Sequence, residues 1–130
     1  MGHSFSSIDE LGDGYGFRKV RRAMGVTAFG VNAIVYPPGQ EGFLHYHEQQ
    51  DELYFVHSGH GVFEVGGERR ELGPGGLCHV EAETPRKVSN PSGTEDLVML
   101  VVGGKGGYVE RDGMLVDPER DLARRQAFGG

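Results

Sequence analysis

His45 and His47 stand one residue apart in a segment that alternates like a β-strand, and Glu52 follows five residues later. Residues i and i+2 of a strand point to the same face, so the two imidazoles project side by side. The intervening Glu48-Gln49-Gln50-Asp51 is long enough for a turn or bulge that brings Glu52 back to the same spot. Two imidazoles and one carboxylate make the facial triad of non-haem iron, and the same groups suit manganese, zinc, nickel or copper. The alternative reading of His-x-His is a pair of surface or core histidines. His3, His57 and His60 have no partner at a telling spacing and are expected at the surface or rim. His79 could join the set only through a register slip before Pro85, which would upset the alternation of its whole strand. Cys78 is the only cysteine, so an internal disulfide and a thiolate cluster are both excluded, and a small core residue is the expected role.

The elements that must position these side chains are short strands. The chain has 130 residues, 23 of them glycine and six proline, and no long stretch with helical period, which points to an all-β class. The segment Thr27–Gly39 reads as a strand stopped by Pro37-Pro38-Gly39. Gly66-Gly67 separates two alternating runs as a two-residue hairpin does. Two further short strands fall between Gly73 and Gly93, and Glu95–Gly104 is an apolar run of buried-strand length. Eight or more such strands make a sandwich or barrel. Tyr54 and Val56 share the parity of Glu52 and should line the interior, whereas Leu53 and Phe55 face the other way. A strand apolar on both faces needs cover on each, and a second subunit would supply one, so a homodimer is expected, the alternative being burial under the chain's own termini. Asp117-Pro118 is a helix start, with Leu122, Ala123 and Gln126 in register for a short, peripheral C-terminal helix. The expected organisation is one domain over residues 1–130: an N-terminal arm 1–16, a barrel core of about 28–104 and a C-terminal extension 105–130.

A formal charge of −6 and a pI of about 5.4 argue against nucleic acid as a partner. The basic runs Phe17–Arg22 and Arg120–Arg125 read as solvated faces. The first residues lack a charged region followed by an apolar one, and no apolar run reaches membrane-spanning length, so neither a signal peptide nor a membrane partner is expected. With a single cysteine, a cytoplasmic location fits.

The spacing Gly39, five residues, His45-x-His47, four residues, Glu52, six residues, Gly59 resembles the complete first motif of the cupin superfamily. The second motif of that family is matched by Gly75 and Asn90 at its ends, with Glu81, Glu83 and Arg86 in place of its proline, its second glycine and its metal-binding histidine. The resemblance covers roughly Phe29–Gly104. It implies a double-stranded β-helix, that is a jelly-roll barrel, with a divalent metal held inside by His45, His47 and Glu52. Similar proteins include dioxygenases, isomerases, epimerases, decarboxylases, storage proteins and plain binding domains, so the resemblance implies a small metalloprotein that acts on or binds a small anionic molecule. The reaction stays open among oxygenase, isomerase and lyase; if the chain is an enzyme, it is a metal-dependent oxidoreductase or isomerase. Arg86 offers no lone pair to a metal. It is expected to point into the cavity, with Tyr54 as a second candidate cavity residue, and to pair either with Glu52 or with a ligand anion; the alternative is an outward swing towards Glu81 or Glu83. The rival function is a metal-free module in which Arg86 and the two histidines grip a carboxylate or sugar-type ligand without catalysis.

Overall fold

The computed structural model describes residues 2–128. Turn-forming glycines and prolines break the chain into ten strands: β1 (Gly16–Arg18), β2 (Gly30–Tyr36), β3 (His45–His47), β4 (Asp51–Ser58), β5 (Gly61–Val65), β6 (Glu68–Leu72), β7 (Leu77–Val80), β8 (Arg86–Ser89), β9 (Leu97–Gly104) and β10 (Gly113–Leu115). They form two five-stranded sheets, ordered β1-β2-β9-β4-β7 and β10-β3-β8-β5-β6. Every pairing is antiparallel. The architecture is the double-stranded β-helix that the sequence implied. The expected hairpin joins β5 to β6, where Gly66 and Gly67 adopt φ of 56° and 86°, as a two-residue turn with both central residues left-handed requires.

The core lies between the sheets. In the first sheet Ile34 pairs across to Met99 and Tyr54 to Val101, and these inward residues meet Phe63 and Val88 of the second sheet. Burying each such side chain contributes about 1.5–3 kcal/mol. The parity read from β4 holds: Tyr54 and Val56 are buried, whereas Leu53 is exposed and Phe55 half-buried. Cys78 is half-buried and packs against the core from β7, at the edge of its sheet.

Both chain ends depart from expectation. The basic run Phe17–Arg22 is not simply a solvated face. Phe17 and Arg18 belong to β1, which pairs with β2, and Val20–Met24 form a short helix, α1, closed by Gly25 in the left-handed conformation. In the C-terminal extension β10 adds the outermost strand of the second sheet. The helix predicted after Asp117 is present as α2 (Pro118–Ala127), with the Asp117 carboxylate accepting from the Arg120 amide at 3.2 Å. It is not peripheral, and it turns a different face inward: Asp121 is 1% exposed and Leu122 42%. Asp121 takes a hydrogen bond from Arg124 at 3.0 Å. The Arg124 guanidinium lies 4.2 Å from the Phe43 ring centroid and donates to the carbonyls of Glu41 and Gly42 at 2.7 and 2.9 Å. Phe128 then packs edge-on against Tyr36, 5.2 Å between centroids. Charge pairing, not an apolar stripe, docks this helix.

Candidate metal centre

Strand β3 carries His45 and His47 and is flanked by β8 and β10, with His45 opposite Arg86 and His47 opposite Gly113. Glycine at 113 suits a close approach: a Cβ there would come 3.2 Å from Cε1 of His47, so the ring would have to give way by a few tenths of an ångström. Glu52 enters from the other sheet, near the start of β4. The bend at Glu48 and Gln49 makes the return that the spacing predicted. The ligand atoms of His45, His47 and Glu52 lie within 4.8 Å of one another, close to the separation of roughly 3–4 Å that donors sharing an ion with bonds near 2 Å require.

Each imidazole is held by its Nδ1. That of His45 lies 2.9 Å from the Phe43 carbonyl, and that of His47 lies 2.8 Å from Oδ1 of Asp112. Both of these partners are acceptors, and the Gln50 amide nitrogen, 3.1 Å from Nδ1 of His47, has the nearer Asp112 Oδ1 to donate to, so each Nδ1 carries the proton and each Nε2 keeps its lone pair for the cavity. Asp112 is itself fixed. Its Oδ2 accepts from the amides of Gln49 and Gln50 at 2.8 and 2.9 Å, and its Oδ1 accepts from the Gln50 side chain at 2.7 Å. Nε2 of His47 is buried without a hydrogen-bond partner among the described residues. It lies 3.2 Å from Oε1 of Glu52, within ion-pair range but misaligned for a hydrogen bond. A buried nitrogen left unpaired is costly, and a bound cation would satisfy this one. The donor set and this orphaned atom fit a divalent metal.

Charges follow the geometry. Burial pushes the His45 imidazole towards its neutral, ligand-competent form and outweighs the Phe43 carbonyl and Glu52. Burial acts the same way on His47, but the carboxylates of Glu52 and Asp112 overcome it and raise the pKa, so proton and metal compete for this ring. Burial alone would raise Glu52, yet His47 and the Tyr54 hydroxyl hold it below the usual carboxylate range. Asp112 is lowered to about 2, because the amides of Gln50 and Gln49 and the His47 ring outweigh burial.

Arg86 is fully buried, which overturns the outward swing towards the Glu81 or Glu83 carboxylates. Its Nη1 donates to Oε1 of Glu52 at 3.1 Å, and its Nη2 donates to the backbone carbonyls of Glu81 and Ala82 at 2.8 and 3.1 Å. The guanidinium therefore stands behind Glu52 and does not line the cavity, as a grip on a ligand anion would require. Tyr54 does line it, and donates to Oε1 of Glu52 at 2.8 Å. All three contacts to Glu52 fall on Oε1, which leaves Oε2 for an ion. His79 is exposed, 3.6 Å from Oδ2 of Asp51, and does not join the centre; His3, His57 and His60 are exposed as expected. Asp112 and Gln50 were not foreseen. Gln50 is three residues from His47, on its own chain segment, whereas nothing local marks Asp112, which only the β10–β3 pairing brings near.

The interior around the centre is a cavity of about 540 Å³. No helix among the described residues is long and apolar enough to cross a membrane.

Similarities to known proteins agree with this geometry. An oxalate-binding protein of Thermotoga maritima is 33% identical over 66 residues, 51% of this chain and 54% of that protein. A sugar phosphate isomerase of Silicibacter pomeroyi superposes with a TM-score of 0.64 at 26% identity, over 79% of this chain and 68% of that one. A cupin protein of Bacteroides fragilis, 22% identical, shares the fold with a TM-score of 0.68 over 88% and 98% of the two chains. The chain spans about half the length of the curated relatives it matches. The family model described as the cupin domain matches residues 33–103, more than half of the chain, over the strands that bring the two histidines and the glutamate together, and the chain belongs to the cupin superfamily.

Proposed function

We propose that His45, His47 and Glu52 bind a divalent metal ion, and that the chain uses it to act on or bind a small anionic molecule inside the barrel. The observation that carries this reading is the convergence of the three ligand atoms on the unpartnered Nε2 of His47. When bound, the ion would supply a Lewis acid or oxygen-activating centre. The chain's own residues do the rest. Asp112 and the Phe43 carbonyl orient the imidazoles, Arg86 and Tyr54 fix Oε1 of Glu52, and the apolar walls at Ile34, Met99 and Val101 limit water. The related proteins named above for oxalate and for a sugar phosphate both deal with anions, which supports an anionic ligand here. The reaction class, whether oxygenase, isomerase or lyase, is not chosen by these residues.

The Arg86–Glu52 pair at 3.1 Å specifically favours a second reading, a metal-free binding module, because a carboxylate committed to a guanidinium is a poorer ligand. Elemental analysis of protein purified without affinity-metal exposure separates the two. Near-stoichiometric metal in the wild type, lost in both His47→Ala and Glu52→Ala, is the expected result. No metal in the wild type moves the module ahead. We also propose a homodimer formed through the outer face of β4 and β7, where Leu53 and Leu77 are 43% and 61% exposed.

A further inference from the structure

The net charge of the chain is −6, yet the cavity that holds the metal centre is lined by five cations from three separate parts of the chain: Lys19, Arg21 and Arg22 at α1, Arg111 before β10, and Arg125 on α2. Among the described residues the only acid in the lining is Glu52, already engaged by Arg86. None of the five side chains has a carboxylate in ion-pair range among the described residues. Arg21 stacks its guanidinium 3.8 Å from the centroid of Tyr108, and Lys19 lies 5.2 Å from that of Phe17. Nε of Arg125 is buried with no hydrogen-bond partner among the described residues. Arg111 has a φ of 25°, the only positive value at a non-glycine residue among those described, and such backbone strain persists where the surroundings impose it. Partial burial, with Arg111 and Arg22 close by, disfavours the charge on Lys19. Like charges gathered on one cavity without counter-ions are electrostatically unfavourable unless an anion joins them.

We propose that these cations form a subsite for a phosphate group, and that the molecule which the barrel takes is a phosphate monoester whose unphosphorylated end reaches His45, His47 and Glu52. Three features favour phosphate over a second carboxylate. Phosphate has three terminal oxygens and close to two charges, so it can serve several guanidinium and ammonium donors at once. A cavity of about 540 Å³ falls in the range of sites that enclose whole metabolites, and a two-carbon diacid would leave most of it to water. The exposed members, Lys19, Arg22 and Arg111, lie towards solvent, so an entering anion meets them before it meets the histidines. The identity of the far end rests on the metal reading above; the phosphate subsite itself does not.

The test uses the full chain in two states. With chelator-treated, metal-free protein, calorimetric titration with inorganic phosphate at fixed ionic strength should show saturable, one-to-one binding that weakens as salt is raised. Binding should be at least tenfold weaker in Lys19→Gln/Arg22→Gln, and weaker again when Arg111→Gly is added, a change whose glycine accepts the local φ. Metal affinity should be unaltered in the Lys19→Gln/Arg22→Gln protein. With metal-loaded wild type, ribose 5-phosphate should bind at least tenfold more tightly than ribose and be displaced by inorganic phosphate. Absence of saturable phosphate binding, phosphate binding unchanged in the substituted proteins, or equal affinity for ribose and ribose 5-phosphate each overturns the proposal. If the wild type holds no metal but phosphate binds as described, the metal reading falls and the subsite stands; if metal binds and phosphate does not, the subsite alone falls.

Discussion

Asp112 does for His47 what the Phe43 carbonyl does for His45, but with a charge. An amide in its place would keep the shape and lose the strong acceptor that holds the proton on Nδ1. Asp112→Asn is therefore expected to weaken metal binding about 10–100-fold, read by titration against a chelating dye; an unchanged affinity would mean that His47 is oriented by other contacts. The convergence of His45, His47 and Glu52 was legible because strand parity and spacing are local properties of the chain, whereas Asp112 lies 65 residues from its histidine and carries no local mark. The pairing of Arg86 with Glu52 was also legible, as one of its two expected partners, whereas its position behind Glu52, off the cavity wall, was not. Its carbonyl partners were not, because they depend on how the turn before Pro85 folds back.

At the scale of elements, β10 is the decisive addition. Three residues pair with β3, and the absence of a side chain at Gly113 lets the His47 ring lie against the backbone. Gly113→Val would force the ring to move, at a cost of about 1–3 kcal/mol for overpacking. The expected outcome is a chain that still folds, with a lowered urea midpoint and a loss of metal affinity larger than the loss of stability explains. Retention of full affinity would show that the ring has room to spare. The β5–β6 hairpin was readable from Gly66-Gly67, since its turn chemistry is local. Strand β1 was hidden because three residues running into a basic segment give no periodicity. The docked face of α2 was missed because an aspartate is buried there through its arginine, which hydrophobic patterning cannot register.

For the whole molecule, both barrel filling and the outer face give measurable expectations. Tyr36 is buried against Phe128, and burial raises its hydroxyl from 10.0 to about 12, with Arg124 opposing. The fold therefore favours the neutral phenol. The resulting stability is fully present below pH 10 and is lost as pH rises from 10 through about 12, on the order of 3 kcal/mol for a two-unit shift. Tyr36→Phe should flatten that part of the decline in urea midpoint between pH 9 and 12 by comparison with wild type; parallel curves would place the ring in contact with water. On the outer face, sedimentation equilibrium should show a dimer that dissociates in Leu53→Lys, and an unchanged mass in that variant would move the proposed contact elsewhere.

The position of β10 in the chain also sets an order of events during synthesis. The ribosome adds residues at about 5–20 per second, so Asp112 follows His47, 65 residues earlier, by about 3–13 s. Over that interval the nascent chain holds both histidines and Glu52 but not the carboxylate that fixes one ring, and the outer edge of β3 stands open to pairing with another strand. Arrival of residues 112–115 closes that edge and sets the imidazole in one event. On the proposed metal reading, readiness for the ion thus coincides with closure of this sheet edge, and a chain stalled before that point carries His45, His47 and Glu52 without the carboxylate that orients one of them.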